Sequence, residues 1–223
     1  MNYKKITHVL YDMDGLLLDT EQFYTIVTQE IVGKFGKTFD WSVKSRMIGK
    51  KAIDAANILV NALNLPIKPE QYLEQRNERL RELFPSAEPL PGAMRLTQHL
   101  ARHGIPQGVA TSTTREMFAL KTSRHKSWFD VFQTVITGDD PRVKQGKPAP
   151  DIFLAVADEL GGKPEDCLVF EDAPSGMEAA LKAGMSVVVV PDPNMAHDVY
   201  REAHQILNSL EEFNPELWGL PGF

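Results

Sequence analysis

The sequence contains one cysteine, no low-complexity tract and no long uninterrupted apolar run. Because Cys167 has no second cysteine to pair with, an intramolecular disulfide is excluded and an oxidising compartment is not required. The first apolar run, in MNYKKITHVLYD, is interrupted by His8 and is too short for a signal-peptide core or a membrane span. We therefore expect a cytoplasmic protein that has no membrane partner.

An excess of basic residues is also lacking. Lys and Arg number 24 against 30 for Asp and Glu, giving a net charge of −6, whereas a nucleic-acid-binding domain usually carries a basic face. We expect no nucleic-acid partner, and a monomer that acts on small molecules. With 223 residues, 43% of them hydrophobic, the chain can bury a sizeable core in one domain with a large insertion or in two small domains.

Short apolar runs alternate with segments of helical spacing along most of the chain. The runs are residues 6–11, 107–110, 134–136, 167–170 and 186–190. Valine-rich strands that alternate with helices are typical of a Rossmann-like α/β fold, a parallel sheet with helices on both faces. Ligands of such sheets bind at the carboxyl ends of the strands, so the residues that follow each strand are the candidate functional residues.

The strand pattern disappears between residues 21 and 88, where apolar residues recur at helical spacing. The first helical stripe of this segment consists of Phe23, Ile26, Val27 and Ile31. Prolines at positions 85, 89 and 91 mark the return to the sheet domain. We predict an α/β core domain from residues 1–18 and 90–223, and an inserted all-helical cap domain from residues 19–89.

The end of the first predicted strand carries the sequence Asp12-Met13-Asp14-Gly15. Gly15 permits a sharp curl, after which the carboxylates of Asp12 and Asp14 can face one cleft. One carboxylate could then act as a nucleophile and the other as a general acid and base. Taken alone, the same tetrapeptide is equally typical of a strand-end turn in which aspartates form local hydrogen bonds.

Two further strand ends carry groups that could bind phosphoryl oxygens. The segment Ala110-Thr111-Ser112-Thr113-Thr114 offers hydroxyls and backbone N–H groups before a helix, although an ordinary helix N-cap uses the same residue types. Lys147 lies in the loop GKPAPD, which its prolines stiffen, and could neutralise an anionic phosphoryl group. A loop lysine without such neighbours is usually solvated.

The fourth strand end carries Glu171 and Asp172 before a helix. Mg²⁺ in proteins prefers one or two carboxylates together with phosphate and water, so this pair fits a magnesium site. Acidic residues at this place can instead complement the positive end of the helix dipole. Four such features at successive strand ends favour one shared cleft over four unrelated local explanations.

In this order and strand context, the four groups resemble the motifs of the haloacid-dehalogenase-like hydrolase superfamily, in its subgroup with a helical cap. The resemblance covers essentially the whole chain, and the helical insertion occupies the position of that family's cap. Further stretches resemble its pseudouridine-5′-phosphatase and glycerol-3-phosphatase branch: DMDGLLLDTE, MIGKKAIDAA, KTSRH from Lys121, GDDP from Gly138, GKPAPDIF, FEDAPSG and PELWGLP. The resemblance implies a phosphoric monoester hydrolase that acts on a small phosphorylated metabolite.

Residue by residue, the resemblance implies that Asp12 attacks phosphorus and forms an aspartyl-phosphate. Asp14 would protonate the leaving alcohol and then activate water, and Thr111 and Lys147 would bind the phosphoryl oxygens. The neighbouring Ser112 is a further candidate for binding substrate.

For the metal, the resemblance implies Mg²⁺ held by the Asp12 carboxylate, the Asp14 main-chain carbonyl and Asp172, with Glu171 beside it directly or through water. In the cap, Lys50 is a candidate substrate contact, and a solvated helix face is the alternative for it.

Two other functions use the same fold. A phosphomutase similar to β-phosphoglucomutase would need the same four motifs, and a non-enzymatic regulatory protein would tolerate losing them. A proton donor at Asp14 favours ester hydrolysis or phosphomutase chemistry over dehalogenation, because dehalogenases of the superfamily lack one there.

Overall fold

Six parallel strands form a single sheet in the computed structural model, which describes residues 3–48, 50 and 52–223. The strands are β1 (His8–Tyr11), β2 (Gln107–Thr111), β3 (Thr134–Thr137), β4 (Cys167–Glu171), β5 (Ser186–Val189) and β6 (Gln205–Ile206). Their order across the sheet is β3-β2-β1-β4-β5-β6, and every neighbouring pair is parallel. The predicted α/β fold with a parallel sheet is confirmed, and β1 lies between β2 and β4.

Nine α-helices accompany the sheet in this described part of the chain. They are α1 (Glu21–Gly33), α2 (Trp41–Met47), α3 (Ala52–Leu63), α4 (Pro69–Leu83), α5 (Ala93–Arg102), α6 (Arg115–Lys121), α7 (Lys126–Phe129), α8 (Asp151–Glu159) and α9 (Pro174–Lys182). Among the helices of residues 3–48, 50 and 52–223, none combines the length and the apolar character that crossing a membrane requires.

Side chains on the two faces of the sheet pack into separate apolar layers, because successive strand residues point in opposite directions. On one face, Leu10 and Val169 join a buried cluster with residues of α8 and α9. On the other face, the rings of Tyr11 and Phe170 stack 5.3 Å apart, and the Tyr11 hydroxyl donates to Gln107 at 2.8 Å. The central strands are therefore buried on both sides, as a continuous apolar strand sequence predicts.

The structure differs from the predicted strands by one residue at the ends of β2 to β5, at the start of β1 and in having a sixth strand. Strand β1 begins at His8 because the neighbouring strands start at the same level, where His8 pairs with Cys167 and Val9 with Gln107. The two-residue strand β6 was not predicted, since a pair of residues is too short to give an alternating pattern.

The chain divides into two compact units, Met1–Asp19 with Glu88–Phe223, and Thr20–Ala87. The first unit contains the sheet. Its two segments pair with each other next to the ends of the second unit's sequence: the Asp19 N–H donates to the Glu88 carbonyl at 2.9 Å, and the Leu90 N–H donates to the Leu17 carbonyl at 2.9 Å. The second unit contains α1 to α4, which are held together by buried contacts such as the 2.8 Å hydrogen bond between the Thr28 and Tyr72 hydroxyls.

Candidate active site

A tight turn follows β1 and holds the two predicted aspartates at one edge of the sheet. The Asp12 N–H donates to the Phe170 carbonyl at 2.9 Å, so Asp12 continues the sheet pairing toward β4. The Met13 carbonyl then accepts N–H groups from two residues of the following turn, both at 3.0 Å. Gly15 has a φ of 84°, a conformation that favours glycine. The predicted curl after the strand is therefore present.

Lys147 bridges two carboxylates that belong to adjacent strands. Its Nζ lies 2.5 Å from Oδ1 of Asp12, 2.5 Å from Oε1 of Glu171 and 3.2 Å from the Ala110 carbonyl oxygen. The side chain is only 7% exposed, which excludes the alternative of a solvated loop lysine. The structure thus brings Asp12, Lys147 and Glu171 together, although they are far apart in the sequence.

The electrostatics of this trio are set by burial and by charge pairing. Burial raises the pKa of the Asp12 carboxyl to about 7; the Lys147 ammonium opposes this shift, while the neighbouring carboxylates of Glu171 and Asp14 add to it. Burial alone would lower the pKa of Lys147, but the carboxylates of Asp12 and Glu171 outweigh that effect and raise it above its usual value. Lys147 is therefore a permanent cation beside Asp12.

Glu171 is fixed by hydrogen bonds to both of its carboxylate oxygens. Oε1 accepts from Lys147, and Oε2 accepts the N–H groups of Asp172 at 3.0 Å and Ala173 at 3.1 Å. Gly176 leaves room for this carboxylate, since a Cβ atom there would lie 1.8 Å from Oε1. This arrangement favours Glu171 as the residue that holds Lys147.

Asp14 is contacted from β2 and from the helix that follows it. The Thr111 hydroxyl donates to Oδ2 of Asp14 at 3.3 Å, and Nζ of Lys121 lies 2.6 Å from Oδ1. The Lys121 side chain is fully buried and also lies 3.3 Å from the Thr113 hydroxyl. In the sequence, Lys121 stands out only as the first residue of KTSRH, a stretch that resembles the phosphatase branch and to which no role was assigned.

The loop after β2 is braced by the loop after β3. The Gly138 N–H donates to the Thr113 carbonyl at 2.8 Å, and a Cβ atom on Gly138 would lie 2.4 Å from the Ser112 carbonyl oxygen. Helix α6 is capped by Thr114, whose hydroxyl accepts the Met117 N–H at 3.3 Å. The helix N-cap that was the alternative for the segment Ala110-Thr111-Ser112-Thr113-Thr114 is therefore present, and it is Thr114 that forms it. Ser112 itself is exposed.

Asp172 directly follows Glu171 at the end of β4, and its main-chain carbonyl accepts the Tyr200 hydroxyl at 2.7 Å. Burial is the main cause that raises the pKa of Tyr200, and nearby carboxylates add to it. Tyr200 therefore acts as a neutral donor that ties the β4 end to the segment after β5.

The donor chemistry at this edge fits a magnesium ion. No group of three or more His, Cys, Asp or Glu side chains within residues 3–48, 50 and 52–223 is placed to hold a metal by itself. Mg²⁺ does not need such a cage, because it binds through one or two carboxylates plus carbonyl, water and phosphate oxygens. Asp12 and Asp172, with the Asp14 carbonyl, are an all-oxygen set of this kind on neighbouring strand ends.

Asp151 supports the loop of Lys147, whereas Lys50 belongs to the helical unit. Asp151 accepts the N–H groups of Lys144 and Gln145, both at 3.0 Å, and so holds the loop that leads to Lys147. Lys50 lies in the helical unit and is exposed, and its predicted contact with substrate stays a prediction.

Known proteins resemble this chain in sequence and in fold. Residues 9–190 match the family described as haloacid dehalogenase-like hydrolase. "(DL)-glycerol-3-phosphatase 2" of Arabidopsis thaliana is 51% identical, and the alignment covers 98% of this chain and 93% of that protein. "Probable pseudouridine-5'-phosphatase" of Drosophila melanogaster is 44% identical, and the alignment covers 99% of this chain and 96% of that protein.

A solved structure shares the fold. The HAD family hydrolase from Deinococcus radiodurans R1, crystallised with bound phosphate and sodium, superposes with a TM-score of 0.82, covering 99% of this chain and 100% of that one at 23% identity.

Proposed function

This chain belongs to the haloacid dehalogenase-like hydrolase family, and we propose that it hydrolyses small phosphomonoesters through an aspartyl-phosphate on Asp12. The observation that carries the proposal is the buried contact of Asp12 with Lys147 at 2.5 Å, next to Asp14 in the same turn. A nucleophilic carboxylate, a fixed cation and a second carboxylate are the groups that phosphoryl transfer to an aspartate requires.

In the first step, an oxygen of the Asp12 carboxylate attacks phosphorus in line with the leaving alcohol. The transferring group spreads negative charge over its oxygens, and a fixed cation stabilises it without reorganising. Lys147 supplies that cation, since Glu171 holds it at the strand ends. The buried Thr111 supplies a hydroxyl at the same edge.

Asp14 moves the protons. It donates one to the leaving oxygen in the first step, and it accepts one from the water that attacks the aspartyl-phosphate in the second. Asp12 cannot serve as this acid and base as well, because its carboxylate is the nucleophile in the first step and is bonded to phosphorus, as an acyl phosphate, during the second. The spacing of two residues lets one turn present both groups.

The same site accommodates Mg²⁺, held by the carboxylates of Asp12 and Asp172 and by the Asp14 carbonyl. When bound, the ion offsets the negative charge of the phosphoryl group and of the carboxylates around it. Glu171 stays with Lys147, since both of its oxygens already accept hydrogen bonds.

The leaving group belongs to the same proposal. The relatives named above suggest glycerol 3-phosphate or pseudouridine 5′-phosphate, and Lys50 is the candidate residue of the helical unit for contacting it. A cytoplasmic monomer remains the predicted context.

A substrate panel tests the function directly. Purified protein is assayed for inorganic phosphate release from pseudouridine 5′-phosphate, UMP, glycerol 3-phosphate, sugar phosphates and β-glucose 1-phosphate. We expect release from at least one small monoester, loss of turnover with EDTA and recovery with Mg²⁺. Conversion of β-glucose 1-phosphate to glucose 6-phosphate without net phosphate release would establish the mutase instead. Absence of phosphate release and of isomerisation with every compound would favour a non-enzymatic regulatory protein.

A further inference from the structure

Lys121 is a buried cation that the proposed reaction does not yet use. It is the last residue of α6, its side chain is fully buried, and its Nζ lies 2.6 Å from Oδ1 of Asp14. Burying an ammonium is costly unless a charge partner and hydrogen-bond acceptors compensate. Asp14 supplies the charge, and the Thr113 hydroxyl at 3.3 Å supplies a second acceptor.

The contacts on Asp14 define the direction of its carboxylate. Lys121 holds Oδ1, and the Thr111 hydroxyl donates to Oδ2 at 3.3 Å. Both partners come from β2 and α6, outside the turn that carries Asp14. The carboxylate is therefore oriented by a neighbouring element, and the stronger of the two contacts is the charged one.

We propose that Lys121 is a positioning residue that orients the Asp14 carboxylate for proton transfer to and from the reacting oxygen; the proposal rests on the function proposed above. A proton donor must lie within hydrogen-bond reach of its acceptor, and small displacements of a catalytic group cause large losses of rate. The ammonium contacts the Asp14 carboxylate directly at 2.6 Å, and this contact is its link to the proposed proton transfer.

The test is Lys121→Met, which keeps the length and apolar stem of the side chain and removes the charge. We measure kcat/KM for a series of phosphomonoesters that runs from p-nitrophenyl phosphate to the best alkyl phosphate substrate. This ratio reports the steps up to phosphoryl transfer, in which a poor leaving group needs a proton and p-nitrophenolate does not. General acid catalysis contributes roughly 10²-fold or more, so we expect about a 10²-fold loss for the alkyl ester and less than about a 5-fold loss for the aryl ester.

Asp14→Asn provides the reference pattern. We expect kcat/KM of Lys121→Met to fall more steeply with leaving-group pKa than that of the wild type, as it should in Asp14→Asn. The double variant should be no slower than Asp14→Asn alone. Lys126→Met is the matched control, because this lysine of the next helix is exposed; it should keep the wild-type slope.

Equal losses on every ester, or additive losses in the double variant, would overturn the positioning role and make Lys121 structural. If Lys121→Met does not fold, Lys121→Gln, checked by its melting temperature, is judged by the same two criteria. Failure of the reaction itself looks different: a wild-type protein that hydrolyses no ester, or an Asp12→Asn variant with full turnover, refutes the proposed function and this inference with it.

Discussion

Gly176 is one residue on which the geometry of the site depends. A methyl group there would meet Oε1 of Glu171 at 1.8 Å, and the carboxylate that holds Lys147 would have to move. We expect Gly176→Ala to lower the free energy of unfolding by about 1–3 kcal/mol, the usual cost of overpacking, and to lower kcat for all esters. Urea unfolding and a phosphatase assay measure the two effects.

Gly146→Ala is the control for that substitution, because a Cβ atom at Gly146 meets nothing within 4 Å. Its stability should match the wild type within about 0.5 kcal/mol, the usual range for surface changes. A Gly176→Ala protein as stable and active as the control would mean that Glu171 does not need its observed position.

The raised pKa of Asp12 predicts a pH dependence of stability in the metal-free protein. The pKa is about 7 in the folded state against an ordinary 3.8, so between about pH 4 and pH 7 the native state binds more protons than the unfolded state. The free energy of unfolding should therefore contain a contribution that is complete below about pH 4 and is lost as the pH rises to 7. Urea unfolding with EDTA across this range measures it.

Asp12→Asn removes the titrating group, so the difference in unfolding free energy between wild type and variant should change with pH inside that interval and stay flat above it. A difference that is constant from pH 4 to pH 8 would show that Asp12 keeps an ordinary pKa.

For individual residues, the sequence could predict which side chains lie at the strand ends, but not which neighbours hold those side chains in place. The edge position of Asp12, Asp14 and Asp172 follows from parallel strands ending on one side. Lys121 escaped prediction because its contact with Asp14 depends on how α6 packs, and a helix sequence does not encode the partner of a buried lysine. The engagement of both Glu171 oxygens depends in the same way on three-dimensional packing.

Among the secondary-structure elements and their connections, the loop after β3 supports the loop after β2 by direct backbone contact. Gly138→Ala would place a Cβ atom 2.4 Å from the Ser112 carbonyl oxygen, which must displace the loop that carries Thr111. We expect kcat/KM to fall by about 10-fold or more, as small misplacements of binding groups do, and the loss should extend to aryl as well as alkyl esters, because the phosphoryl group is common to both.

Gly33→Ala is a suitable control, since its added methyl group meets only the flexible end of Gln29 at 3.5 Å. Wild-type hydrolysis of aryl esters by Gly138→Ala would contradict a role of this loop in binding the phosphoryl group.

The strands themselves were predictable where they are long and apolar. Five of them coincide with short apolar runs, and the four central ones do so because central strands of a parallel sheet are buried on both faces; β3 lies at an edge and is half-buried at Thr134 and Val135. The edge strand β6 is different: Gln205 and Ile206 are both half-buried, and two such residues give no periodicity. The start of β1 at His8 was set by its neighbours and not by its own sequence.

For the whole molecule, the division into a sheet unit and a helical unit leads to a prediction on substrate choice. If Lys50 contacts the leaving group, Lys50→Ala should lower kcat/KM for the preferred alkyl ester by about 10-fold, the scale of a lost hydrogen bond to a charged group. Hydrolysis of p-nitrophenyl phosphate should stay within about 2-fold of the wild type, since its leaving group lacks the hydroxyl groups of a glycerol or nucleoside moiety that Lys50 would contact.

Lys37→Ala, at an exposed lysine of the same unit, should leave every substrate unchanged. Equal losses of Lys50→Ala on all esters would argue that Lys50 supports the helical unit or the chemistry, and not specificity. The sequence could not decide this point, because the direction of a cap side chain depends on packing that the helical pattern leaves open.

Phosphorylation of Asp12 is the step on which the proposed function depends most, and trapping the phosphoenzyme tests it. Labelled p-nitrophenyl phosphate is added to Asp14→Asn, in which attack by Asp12 remains possible but activation of water is impaired, and the denatured protein is mapped for labelled aspartate. We predict label on Asp12 in that variant, and neither label nor turnover in Asp12→Asn. Wild-type turnover by Asp12→Asn would contradict the account, because hydrolysis would then proceed by direct attack of water on phosphorus.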